Sequence, residues 1–173
     1  MLNVKEKQTS GTLAELYNTD YYTWAMTNAE LLKKGKLDEI DYTNLAEEVK
    51  DLGLSEYTEL RSYLANLLSH LYKWDNQPNL RTTSWSLTIC NSVKHVAKTI
   101  KSNPGLKSKL DLAFEDAWID AIDILSKDIK DESVLDSIPN NCPYSFTESI
   151  KKASEIAPDR IDNSDILFLN NIF

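Results

Sequence analysis

At 173 residues, 42% apolar and 27% charged, the chain has the size and make-up of one soluble globular domain with a single core. Its formal net charge of -8 disfavours general binding to nucleic acid or an anionic membrane, while leaving room for a local basic patch. No apolar run approaches the roughly 20 residues that span a bilayer.

The start, MLNVKEKQTSGTLAELY, lacks the apolar stretch of a secretory signal. Cys90 and Cys142 show neither CxxC spacing nor histidine neighbours, so they read as ordinary residues of a reduced, cytoplasmic protein. Only four glycines and five prolines punctuate the chain, which favours long helices over many short strands.

The elements follow in order. Residues 1–16 are expected to be a mobile N-terminal segment. Asp20 is a suitable N-cap for a helix carrying Tyr22, Ala25, Ala29 and Leu32 at i+3 and i+4 spacing, and Gly35 can close it in the left-handed conformation. A second helix is expected after Asp41. Its stripe of Leu45, Val49, Leu52, Leu60, Leu64, Leu67, Leu71 and Trp74 stays in phase across Gly53, with a kink there as the alternative. Pro78 ends it.

Ser84 is read as the cap of a third helix with Trp85, Ile89, Val93, Val96 and Ile100 on one face. Asn103-Pro104-Gly105 reads as a turn. A fourth helix follows from Leu106, with a wide stripe through Phe114, Trp118 and Leu125. Residues 130–145 read as a structured loop, and Ser145 as the cap of a short helix. The fold expected is an all-α antiparallel bundle of four main helices plus that short C-terminal helix. The helical domain covers 17–152 and a tail covers 153–173, with the apolar ILFLNNIF able to dock.

Three constellations carry chemistry. The first is HLYKWDNQP…SW. His70 and Trp74 share a helix face, and Lys73, Gln77, Arg81, Ser84 and Trp85 lie close in sequence. The corner could be packed shut by its tryptophans, with Gln77 and Ser84 serving the indole N–H groups and Arg81 stacking on a ring. It could equally be a ligand platform. The structural reading is preferred, because a base needs a partner within reach and zinc needs three or four ligands, and no HxxxH or HExxH occurs.

The second constellation is acidic. Glu47, Glu48 and Asp51 read as a solvated helix face. Glu56 instead falls on the apolar stripe and needs a partner, for which Arg81 and Ser84 are suitable by type. The third is basic. Lys94, Lys98 and Lys101 share a face and could contact anions. The acidic run from Asp111 to Asp136 favours pairing between adjacent helices over nucleic-acid binding. No P-loop, GxGxxG or GxSxG is present, no metal site is implied, and no cofactor is expected.

The stretches DYYTWAMTNAELLKKGKLDEIDYTNLAEEVKDLGLSE, HLYKWDNQP, SWSLTI, NPGL and CPYSFTESI, in this order, closely resemble the bacterial, especially cyanobacterial, family known as domain of unknown function 29. The resemblance spans about residues 17 to 150. It implies a helical fold and gives no established activity. It implies family positions at Asp20, Tyr22, Trp24, Leu45, Glu47, Glu48, Asp51, Leu52, Gly53 and Glu56, then at His70, Lys73, Trp74, Gln77, Pro78, Ser84, Trp85 and Ile89. The typical member is richer in arginine after the SW motif, where this chain has Asn91, Lys94, His95 and Lys98. That departure weakens arginine-mediated phosphate binding and sets His95 apart from a shared site.

The expectation is a non-enzymatic interaction module that binds an unidentified protein partner or itself. The alternatives are a small-ligand, metal-binding or catalytic pocket formed by Glu48, Glu56, His70, Lys73, Trp74, Gln77, Arg81, Ser84 and Trp85, or nucleic-acid binding through Lys94, Lys98 and Lys101.

Overall fold

The computed structural model describes residues 12–172. Among them are helices and irregular segments and no strand, so the protein is all-α as expected. The chain divides into two compact units, Met1–Leu54 and Ser55–Phe173.

The first unit holds α1 (Leu13–Thr19), α2 (Tyr21–Lys33) and the opening turns of α3 (Tyr42–Asn76). Of the expected mobile start, residues 1–11 lie outside the described residues, while 13–16 are helical. The sequence signal is a capping box: Thr12 accepts from the Glu15 N–H, and Glu15 accepts from the Thr12 N–H. Asp20 caps α2 through the Thr23 N–H. Gly35, at φ +69°, follows α2 in the left-handed region that favours glycine. Asp41 precedes α3 and accepts from the Asn44 N–H.

The helix α3 is a single element through Gly53, as the phase of its stripe predicts. It stops at Asn76 because Pro78 cannot continue it, and a short 3₁₀ turn, Pro78–Leu80, follows.

The second unit is built on one apolar core. The latter part of α3 contributes Leu60, Leu64, Leu67, Leu68 and Leu71. α4 (Thr83–Ser102) contributes Ile89, Val93, Val96 and Ile100, and α5 (Leu110–Asp128) contributes Phe114, Trp118 and Leu125. Each full burial of such a side chain stabilises by about 1.5–3 kcal/mol.

Several boundaries differ from the sequence reading. The cap of α4 is Thr82, which accepts from the Trp85 N–H, and Ser84 lies inside the helix, exposed. Residues 104–109 form a 3₁₀ segment, so α5 begins at Leu110 and not at Leu106. The loop after α5 contains a short helix, α6 (Glu132–Leu135), started by Asp131.

Ser145 caps α7 (Phe146–Ile156) in a second capping box with Glu148. The expected tail contains a further helix, α8 (Asn163–Asn170), capped by Asp162, with Leu169 buried in the core.

Candidate functional site

Eight of the nine residues of the expected pocket fall into four separate arrangements, and Ser84, exposed inside α4, belongs to none. The first surrounds Lys73, in the last turn of α3. Its side chain is 5% exposed, and its Nζ donates to Asp128 Oδ2 at 2.6 Å. His70 Nε2 lies 3.4 Å from the same nitrogen, and the ring of Trp85 lies 5.3 Å away.

The tautomer of His70 follows from geometry. Its Nδ1 is 2.9 Å from the Asn66 carbonyl oxygen, which can only accept, so Nδ1 carries the hydrogen and Nε2 accepts from Lys73. Burial and the neighbouring Lys73 charge both hold His70 below its ordinary pKa, keeping it neutral. A groove of about 340 Å³ opens here, lined by Lys73, Gln77, Leu80, Trp85, Asp128 and Lys130 among others.

The second arrangement is Trp74 with Arg81. The guanidinium carbon stands 5.0 Å over the Trp74 ring, and Arg81 Nε donates to the Trp74 carbonyl oxygen at 2.8 Å. One side chain thus stacks on the last turn of α3 and satisfies one of the carbonyls a helix end leaves open. Gln77 and Ser84, expected to serve the indoles, make no side-chain hydrogen bond among the described residues. The backbone N–H of Gln77 closes the helix onto Lys73.

The third is Glu56, half-buried on α3. Its partner is neither Arg81 nor Ser84. Asn103 Nδ2, at the end of α4, donates to it at 2.6 Å. That Glu56 needs a partner was legible; the residue type and the helix that deliver it were not.

The fourth lies in the first unit. Glu48 accepts from Tyr17 Oη at 2.8 Å and Tyr21 Oη at 2.6 Å. These bonds, that of Tyr21 most, hold its carboxyl below the usual range. Below them Trp24 is buried and donates its indole N–H to Asp41 at 3.0 Å. Asn28, also buried, donates to the Trp24 carbonyl oxygen and accepts the Asp41 N–H. Burial works to raise the Asp41 carboxyl, but the bonds from Asn44 and Trp24 leave it lowered. Tyr17, Asn28 and Asp41 were not among the expected site residues. Asn28 occupies an apolar position of α2 by helical spacing, one turn from Trp24, and that was its sequence signal.

The lysine stripe of α4 is partly engaged. Lys101 pairs with Asp165 of α8 at 2.6 Å, and its Nζ lies 5.0 Å from the Phe168 ring. Lys94 and Lys98 are exposed. The expected pairing of α4 with the acidic α5 gives way to pairing between α3 and α5. Arg61 forms an ion pair with Asp120, Tyr57 Oη donates to Asp116 at 2.7 Å, and Lys73 holds Asp128. His95 stacks on Tyr63 at 4.2 Å, which accounts for it as a packing residue.

Among the described residues no group of three or more His, Cys, Asp or Glu side chains is placed to hold a metal ion, and no helix is long and apolar enough to cross a membrane. Fold and site together define an all-α protein in which His70, Lys73, Arg81, Glu48 and Glu56 of the expected pocket are each held by another group of the chain. Residues 16–153 match the family model described as "Domain of unknown function DUF29", and the chain belongs to that family. Neither the curated proteins nor the solved structures contain a match.

Proposed function

We propose that this protein is a non-enzymatic interaction module, and that the partner its first unit docks is a second copy of the chain. The observation that supports the reading is the apolar face of α2 and the opening turns of α3. Ala25, Ala29 and Leu32 on α2 and Leu45, Val49 and Leu52 on α3 repeat at i, i+4, i+7 and line one groove of about 240 Å³. Val49 is 61% exposed and Leu52 is 70% exposed, and Tyr22 and Met26 continue the apolar surface along α2. Contiguous apolar surface of this kind marks an interaction site.

Two features favour a second copy over a foreign partner. A helix pair needs another layer to bury its apolar faces, and the same pair from a second chain supplies one by two-fold symmetry, as a four-helix arrangement. The charges around the groove also neutralise one another locally: Glu30 with Lys33 and Lys34, and Glu47 with Lys50. Glu48 lines the groove as well, so charges of both signs stand around it, which suits a self-complementary contact between two copies.

The test is the mass in solution by sedimentation equilibrium across a concentration series. Twice the chain mass of 19.7 kDa is expected, falling to the monomer in the Val49→Asp, Leu52→Asp double variant. A monomer at every concentration, or a dimer indifferent to the double variant, overturns the reading.

A further inference from the structure

In the second unit a groove of about 610 Å³ runs along α5 beside the loop that leads into α7. It takes in the CPYSF stretch, which no arrangement described above uses. Its floor is aromatic. Phe114 and Phe146 meet edge to face at 5.9 Å, and the Trp118 indole N–H is satisfied by the Pro139 carbonyl at 3.1 Å. The floor therefore offers apolar surface and no free donor.

The charges lining the groove have one sign. Asp111 and Glu115 stand one turn apart on α5, and no lysine or arginine lines it. The acids of α5 sort by face. Asp116, Asp120 and Asp128 each have a partner on α3, whereas Asp111 and Glu115 have no hydrogen bond or ion pair among the described residues. The helix dipole accounts for Asp111 in the first turn. It does not account for Glu115, which as a like charge at i+4 works against the helix. Leu112 and Ile119, 51% and 62% exposed, flank Glu115 on the same face. The row reads apolar, acidic, apolar.

We infer that this groove docks an arginine-bearing peptide segment of a partner protein. Two carboxylates a turn apart suit a planar guanidinium, whose donors fork to both, better than a compact ammonium. The arginine stem lies along apolar surface with its head on the acids. A free guanidinium compound would leave Leu112 and Ile119 uncovered, and apolar neighbours in a peptide cover them. Asn140 and Asn141, exposed at the far wall, present amides to the peptide backbone. The volume falls within the range of about 300–1,000 Å³ for pockets that enclose small ligands, which fits a side chain and its neighbours.

The test is fluorescence anisotropy of the full chain with a short labelled peptide of alternating leucine and arginine, and with its leucine–lysine counterpart. The arginine peptide binds more tightly. Glu115→Gln weakens it about tenfold, the equivalent of one charge-assisted hydrogen bond, and Ile119→Ser weakens it severalfold. Asp123→Asn removes the same charge from another exposed, unpartnered position of α5 and changes binding by less than about twofold. Glu115, Ile119 and Asp123 are exposed, so the variants keep the fold. Equal losses from Glu115→Gln and Asp123→Asn would mean attraction to net charge alone, and would overturn the inference, as would no binding by the unaltered chain.

Discussion

Trp24 and Trp118 are both almost wholly buried, yet their surroundings differ. Around Trp24 the neighbours are polar or aromatic: Asp41 and Asn28 bond to it, Asn44 bonds to Asp41, and the rings of Tyr17 and Tyr21 pack against it at 4.9 and 5.3 Å. Trp118 belongs to the apolar cluster of the second unit, with the Tyr72 ring at 5.9 Å and a single hydrogen bond, from its indole N–H to the Pro139 carbonyl oxygen. The first unit is organised by hydrogen bonds and leaves aliphatic side chains outside; the second is organised by apolar burial. Two short helices have too little inner surface to shelter both a tryptophan and an apolar stripe. A network of directed bonds fixes their geometry instead, and the stripe stays open to a neighbour.

Substitutions probe this contrast. The largest loss is expected at Leu68, fully buried in the second unit: Leu68→Ala costs about 2–5 kcal/mol, read by urea denaturation. Val49→Ala, an equally aliphatic position of the first unit, changes monomer stability by no more than about 0.5 kcal/mol. Similar losses at both would erase the distinction.

In the first unit the sensitive residue is polar. Asn28→Ala leaves the Asp41 N–H and the Trp24 carbonyl short of their partner and costs about 1–3 kcal/mol locally, seen as faster hydrogen exchange along α2. Unchanged exchange would show that the network is dispensable.

Lys73 sharpens the contrast from the other side, as a charge inside the apolar unit. Asp128→Ala strands a buried ammonium and costs about 1–3 kcal/mol, less than a fully buried pair because Asp128 is 48% exposed. Lys73→Met leaves only a half-exposed carboxylate and stays within about 1 kcal/mol of the parent. Equal costs would count against desolvation of Lys73 as the cause.

The smallest effect is a pH dependence. His70 is held below 6.5 when folded, so the unfolded chain takes up its proton first as pH falls. Stability from this group is complete above about pH 6.5 and declines below it, towards the folded value. Subtracting the curve for His70→Gln isolates the slope. No difference between the two curves below about pH 6.5 would remove the assigned environment of His70.

The helices were legible because periodicity and caps are local. Leu60, Leu64, Leu67 and Leu71 announce a buried face, and Ser145 with Glu148 announces a helix start. The cap of α8 was equally written in Asp162, but its short helix lies after a run of polar residues and read as tail.

Partners across helices were not legible. Lys73 and Asp128 are far apart in sequence, as are Glu56 and Asn103, and only the rotation of each helix about its axis decides which side chains meet. The acidic face of α5 shows the same limit, since opposite charge on α4 was a sound reason to expect pairing and the geometry delivered α3. Of the expected pocket, Lys73, Gln77 and Trp85 line one groove, with His70 beside Lys73. Glu48 was drawn from a different unit.

Cys90 and Cys142 are both free thiols, and they differ in a useful way. Cys90 is buried, with Sγ 3.2 Å from the Arg160 carbonyl oxygen. Cys142 is half-buried, and burial raises its pKa, so its reactive thiolate is scarce. A thiol reagent therefore meets two clocks in the native chain. Cys142 is modified slowly from the folded state, and Cys90 only as fast as its surroundings open. The second unit carries its own stopwatch for local unfolding, readable without adding a probe.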